Sequence, residues 1–427
     1  MGCPSRRPDV DFWSSPAVAG ALARCDFPVL LEEVRKAHCW TQAELAQVAG
    51  YSQSWVSKVI RGRQPLTLDQ AREIARRVGI PLHLLRLGDE GGDDPAKRRD
   101  FAKALALAAV PWPTAPRGRA LYHPDEGVAR SLTAITAGQR RLDATTPARE
   151  LARSVTAHVD MAARVLGQAR GSRHAADVAA AVSEAAGFAG WLHADMCDHG
   201  TARTYYRLAI DAARRTEHGL LAGYMLGSLA VFEIDNGDHV SGLALAARAR
   251  EQIGASPHAV PRAWLAAVQA LGHATAGRGG AAEAALDRAA SAVDSSDAVS
   301  PPPWPWIFQF DQAKLAGYRA LACVRLGRAE AALAAFADSL SAARPSPKQQ
   351  AMITLEVATA TRQDAAQHRD NSRLDEAFGL AVTALHTGAE YGSERVLARA
   401  RQFRRGYAGP VTSQVRDFDR QLQAGLP

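Results

Sequence analysis

The sequence predicts an all-α protein, a small N-terminal helical domain followed by a solenoid of helical hairpins. Three observations carry this. Between Phe27 and Leu87, five short segments with helical apolar spacing are separated by Gly and Pro stops. From Gly190 onward, small residues recur at long, near-constant intervals. Ala dominates the apolar residues and aromatics make up only 6% of the chain, a composition suited to closely packed helices. At 427 residues the chain exceeds one ordinary core, so more than one domain is expected.

The first helix spans about Pro28 to Ala37, with Leu30, Leu31 and Val34 on one side. Thr41 caps the second, and Glu44, three residues on, completes a capping box. That helix buries Leu45 and Val48 and stops at Gly50. Ser52 caps the third, which runs to about Arg61 with Val56, Val59 and Ile60 inward. Gln53, Ser54, Ser57 and Lys58 fall on its opposite side. Gly62 and Pro65 end it. Thr67 then caps a fourth helix with a stripe of Leu68, Ala71, Ile74, Ala75 and Val78. After Gly79, Pro81 opens a last short helix with Leu82, Leu84 and Leu85.

The stretch opens with Thr41-Gln42, holds Ala46 within the second helix and turns at Gly50. "SQSWVSK", the "RGR" exit and "ARRVGIPLHLL" follow. These residues resemble the helix-turn-helix domain of phage-repressor-like (XRE) regulators over the whole unit. Ile60 departs from the family, which usually carries an acidic residue before Arg-Gly. The resemblance implies that Gln53, Ser54, Ser57 and Lys58 read base edges. Chemistry agrees: Gln pairs bidentately with adenine, Lys reaches guanine acceptors and Ser suits either. By the same resemblance Gln42 binds phosphate through its side chain and helix N-terminus. Arg61 and Arg63 hold phosphates nearby, with Arg35 or Lys36 as weaker candidates. Thr41 and Ser52, at the two helix N-termini, complete the expected DNA-binding set. Trp55 suits two roles: leaning on the DNA backbone or a thymine methyl, or packing against the first two helices.

Residues 88–126 read as a linker, acidic and Gly-rich in "GDEGGDDP" and Pro-rich in "PWPTAPRGRALYHPDEG", with a short helix between. Residues 127–424 read as repeats. Ala202, Gly242, Ala282, Ala332 and Ala377 align at spacings of 40, 40, 50 and 45. Four residues on stand Tyr206, Ala246, Leu286, Phe336 and Ala381, and seven on stand Ala209, Ala249, Ala289, Ser339 and Ala384. Five before the first four anchors come Cys197, Gly237, Gly277 and Gly327; twelve before come Gly190, Ala230, Ala270 and Ala320. Small residues at these offsets let two helices cross closely. The pattern resembles tetratricopeptide repeats lengthened by longer loops. The resemblance implies a curved solenoid whose groove takes a peptide or protein. Tyr224, Arg262, Gln269, Gln309 and Lys314 are candidate groove residues. The region after Ser393 reads as a closing cap.

The charge is mildly basic, +7 overall. Residues 27–87 hold nine Arg or Lys against five Asp or Glu, an electrostatic footprint for phosphate. Five scattered cysteines, none in a CxxC pair, argue for a reducing cytoplasm and against a disulfide framework or zinc finger. No apolar run reaches transmembrane length, and no signal peptide opens the chain. Arg98-Arg99 before an apolar stretch imitates an export signal, but at that depth a linker helix is expected. His193, Cys197 and His199 have metal-like spacing but no fourth ligand. P-loop, GxSxG and HExxH motifs are missing, so no enzyme and no cofactor are expected. The expected function is a cytoplasmic, DNA-binding transcriptional regulator. It would be a homodimer on a two-half-site operator, with a peptide or protein signal in the groove and no membrane partner. The alternative is a scaffold whose small domain is a docking module.

Overall fold

The computed structural model describes residues 12–15, 18, 21, 27–61, 68–80, 125–169, 171–216, 219–254, 258–295, 310–342 and 345–424. The fifth short helix expected from Pro81, most of the linker with its Arg98-Arg99 stretch, Arg63 and Gln309 lie outside these residues. Among the described residues every regular element is helical. The chain divides into two compact units, one of Met1–Tyr122 with Asp198–Leu208, the other of His123–Cys197 with Ala209–Pro427.

In the first unit, α1 (Phe27–Ala37), α2 (Gln42–Ala49), α3 (Gln53–Ile60) and α4 (Leu68–Val78) surround one core. Leu30, Leu31 and Val34 of α1 meet Leu45 and Ala46 of α2, Val56 and Val59 of α3, and Ile74, Ala75 and Val78 of α4. Val48 and Ile60 are only half-buried at its edge. Trp13, Val18 and Ala21 are buried in the same cluster, a contribution from upstream of Phe27 that the helix pattern did not reveal.

The second unit begins with α5 (Glu126–Leu142), α6 (Ala148–Gln168) and α7 (Ala175–Asp195). In chain order α8 (His199–Ala213) follows, its residues to Leu208 belonging to the first unit by that division, and then come three hairpins: α9 (Gly219–Asp235) with α10 (His239–Ile253), α11 (Ala259–Thr275) with α12 (Gly279–Asp294), and α13 (Gln312–Arg325) with α14 (Ala329–Ala342). A fourth pairs α15 (Pro347–His368) with α16 (Asn371–Glu390), and α17 (Glu394–Arg405) and α18 (Ser413–Ala424) close the array. The helices α7, α9, α11, α13 and α15 pack successively in one row.

The small residues of the repeat occupy the helix crossings. Ala230, Ala270 and Ala320, twelve before their anchors, are fully buried, as are Ala282 and Ala332 among the anchors themselves. A Cβ on the anchor Gly242 would stand 3.0 Å from the carbonyl oxygen of Ala230, so α9 and α10 touch backbone to side-chain position there. A further small column lies fifteen before the anchors, at Gly187, Gly227, Ala267 and Gly317. A Cβ on Gly187 would meet the Ala209 Cβ at 3.8 Å, and one on Gly317 the Ser339 Oγ at 3.1 Å, both seven past an anchor.

The turns share one conformation. Cys197, Gly237, Gly277 and Gly327 all have positive φ (53°, 87°, 71° and 71°). The next N–H of the last three folds back five residues, as from Asp238 to Glu233 at 2.9 Å. Arg369, with φ of 55°, makes the same turn, its follower Asp370 bonding to Ala365. Counting five on from Arg369 reaches Leu374, so the fifth unit is registered there and not at Ala377. Positions three apart share a helix face, and Ala377, Ala381 and Ala384 are all buried, so the shifted alignment still looked regular.

The row curves until its ends meet. Arg325 of α13 reaches across α11 to Asp235 of α9 at 2.7 Å, and bonds Thr275 of α11 on the way, also at 2.7 Å. At the closure Lys348 directs its ammonium to Asp143 (3.3 Å), the Thr146 carbonyl (2.8 Å) and Asp195 (3.5 Å). Asp195 also accepts from Ser393 at 2.7 Å, and Arg149 pairs with Glu394 at 2.9 Å. The cap beyond is held by Phe378, Phe403 and Phe418 edge to face, with centroids 5.1 to 5.7 Å apart.

Candidate functional site

The capping residues fix the geometry of α2 and α3. Thr41 Oγ1 accepts from the Glu44 amide at 3.2 Å, and the Glu44 carboxylate accepts from the Thr41 amide at 2.7 Å. The Thr41 amide first, and then the Thr41 hydroxyl, which donates to the same carboxylate at 2.9 Å, hold the Glu44 carboxyl below its usual range. Gly50 closes α2 in the left-handed region, φ 77°, and both Gly50 and Tyr51 return their amides to Ala46. One residue later Ser52 Oγ accepts from the Trp55 amide at 3.2 Å and starts α3. The Arg77 guanidinium of α4 donates to the Ala49 carbonyl at 3.2 Å, tying α4 to the end of α2.

Val56 and Val59 anchor α3 to the core, so its other side faces out. Gln53, Ser54, Lys58 and Arg61 are exposed there, and Ser57 is half-exposed. Gln42 is half-buried at the first position of α2, while Thr41 and Ser52 are exposed with their hydroxyls engaged as caps. Trp55 stacks on Tyr51, ring centroids 3.9 Å apart and planes 12° apart, and packs at the edge of the core. Of its two open roles, packing is the one the geometry supplies. Arg35 is committed to Glu32 and to the Trp40 carbonyl at 2.6 Å, and Lys36 to Glu33 at 2.8 Å. The Arg35 hydrogen bond also holds the Glu32 carboxyl below its usual range. Arg35 therefore braces the turn into α2.

The groove candidates are less united. Tyr224 is half-buried on α9 with its ring 5.3 Å from Trp264. Arg262 and Lys314 are exposed on α11 and α13, and Gln269 is only 8% exposed within α11. The inner face of the row holds residues the sequence reading passed over: Asp195, Asp235, Thr275 and Arg325, each seven before an anchor. Their signal was present, as a polar column recurring in an otherwise apolar repeat. Trp264 joins them, donating to the Tyr318 hydroxyl at 3.0 Å; burial, the largest effect, pushes that phenol well above its usual range.

No described helix is long and apolar enough to cross a membrane. No curated protein and no solved structure matches the chain. A family model described as a helix-turn-helix domain matches residues 27–87. It covers the stretch in which two short capped helices meet at Gly50 with a polar outer face. Pattern and family agree over that stretch, and the geometry of its described helices agrees with both: residues 27–87 are a helix-turn-helix domain, a DNA-binding module.

Proposed function

We propose that the chain is a sequence-specific, DNA-binding transcriptional regulator of the XRE type, not an enzyme, acting in the cytoplasm. The observation that carries this is the outer face of α3. Gln53, Ser54 and Lys58 stand exposed on a helix short enough for a major groove, and Val56 and Val59 pin its other side. Gln42 and the first amides of α2 suit a phosphate, and exposed Arg61 at the end of α3 suits another. The second unit, a tetratricopeptide-like array in this reading, receives a peptide or protein signal. It also sets the spacing of a homodimer on two half-sites.

Selection of bound fragments from genomic DNA yields the operator, and a salt titration then tests the reading. Specific affinity must fall steeply as salt rises, because phosphate contacts release counterions. Gln53→Ala and Lys58→Ala are each expected to cost about 1–3 kcal/mol of specific binding. Operator binding left intact by the double variant would remove the assignment of α3. A chain without salt-sensitive DNA affinity would instead be a scaffold.

A further inference from the structure

The array's groove already holds a helix of the chain itself. The inner face of the row is marked by residues touching across non-adjacent helices, as Arg325 touches Asp235. Contacts of that kind form only on the inside of a curved row. In repeat register this face carries Trp191 and Asp195 on α7, Asp235 on α9 and, counted from Leu374, Glu356 on α15.

Helix α17 lies against these same positions. The Arg395 guanidinium sits over the Trp191 ring, 4.7 Å from its centroid. Arg399, one turn along, pairs with Glu356. Burial works against the Arg399 charge, but Glu356 and Asp235 more than offset it and hold the guanidinium above its ordinary range. Ser393, which caps α17, donates to Asp195. The other side of α17, with Val396, Leu397, Ala400 and Phe403, is buried in the cap.

The fit is incomplete. Arg395 Nε and one carboxylate oxygen of Glu356 are buried with no hydrogen-bond partner. A small cleft with room for about one water opens beside Arg395, lined by Trp191, Asp195, Lys348, Met352 and Ser393 among others. Buried polar groups without partners favour any occupant that satisfies them. Trp with neighbouring carboxylates is the chemistry that selects a guanidinium.

We propose that α17 is an internal occupant of the groove, and that Trp191 and Glu356 mark two guanidinium subsites. A helical segment of another molecule, carrying Arg at positions four apart, takes them in its place. This rests on the reading of the array as the sensing part, and it names the class of ligand.

The test uses the full chain with Arg395→Gln/Arg399→Gln and a synthetic peptide of the α17 sequence, ERVLARARQFRR. The control peptide has Gln at the same two Arg. The variant is expected to bind the Arg peptide at least tenfold more tightly than the control, and at least tenfold more tightly than the unaltered chain does. Adding Glu356→Gln should abolish that preference. A folded variant that binds both peptides alike, or neither, overturns the proposal. Hydrogen exchange on the unaltered chain decides the matter if the variant does not fold. The amides of α17 should exchange at least tenfold faster than those of α15 and α16. Exchange of α17 only with global unfolding overturns it. Operator binding depends on Gln53 and Lys58, so failure here leaves the DNA reading standing.

Discussion

Gly50 is the residue on which the two short helices of the N-terminal domain turn. Its φ of 77° costs a side-chain-bearing residue about 1–2 kcal/mol. A Cβ there would also stand 1.7 Å from Arg77 Nη1. The guanidinium would swing away, and its hydrogen bond to the Ala49 carbonyl, worth about 1 kcal/mol, would be lost. Gly50→Ala should therefore lower the stability of the domain by about 2–3 kcal/mol in denaturant titration. In an Arg77→Ala background the same substitution should cost less, because the clash is gone. Equal melting of Gly50→Ala and the parent would remove this account of the turn. Glu44 gives a pH test at the same scale. Its folded pKa lies below its unfolded value, so its capping contribution is present above the ordinary carboxylate range and is lost as pH falls through the folded pKa. Glu44→Gln keeps a capping box but has no carboxylate to titrate. Below about pH 5 the variant's stability should fall less steeply with acid than the parent's. Parallel curves would count against it.

Between elements, the absence of side chains decides which helices cross. A Cβ on Gly242 would meet Ile234 Cγ1 at 2.4 Å and the Ala230 carbonyl at 3.0 Å. The first can turn aside; the second moves only if α9 moves. Gly242→Val should cost about 1–3 kcal/mol or more, by overpacking the crossing. Gly379, exposed in the interior of α16, has nothing within 4 Å of its would-be Cβ. There Gly→Ala should raise stability by about 0.5–1 kcal/mol through helix propensity alone. Thermal melts of the two variants must move in opposite directions if crossings, not glycine content, explain the pattern. This is also why the hairpins were legible in sequence: a crossing demands a small residue at a fixed offset, and an offset survives changes of loop length. Caps and stops were legible for a similar reason, since Thr41, Ser52 and Gly50 each satisfy a local backbone requirement. The register of the fifth unit was not, because Arg369 occupies a left-handed turn that three other units fill with Gly. Packing of Trp55 on Tyr51 was undecided in sequence, since stacking depends on two rotamers that spacing does not specify.

At the scale of the whole array, repeats predict neighbours, and a solenoid held only by neighbours has free ends. Here the ends are joined by Arg149 to Glu394, by Ser393 to Asp195 and, most extensively, through the side chain of Lys348. Lys348 stands 205 residues from Asp143 and 153 from Asp195, with all three of its ammonium donors used. No periodic signal points to it, because the pairing follows from accumulated curvature and not from any single repeat. The side chains of Lys348 and Asp195 are only 10% and 5% exposed, so water cannot replace the partner that a substitution removes. Lys348→Met leaves two carboxylates facing each other and should cost about 3–5 kcal/mol. Neutralising Asp195 as well, in Lys348→Met/Asp195→Asn, should recover at least about 1 kcal/mol of that, because the uncompensated charge is what costs most. Hydrogen exchange locates the effect. Loss of the Lys348 contacts should speed exchange at the turn between α5 and α6 and at the start of α17, while the α11–α12 hairpin keeps its protection. A Lys348→Met chain within about 1 kcal/mol of the parent, with exchange unchanged at both ends, would mean that neighbour packing alone holds the array closed.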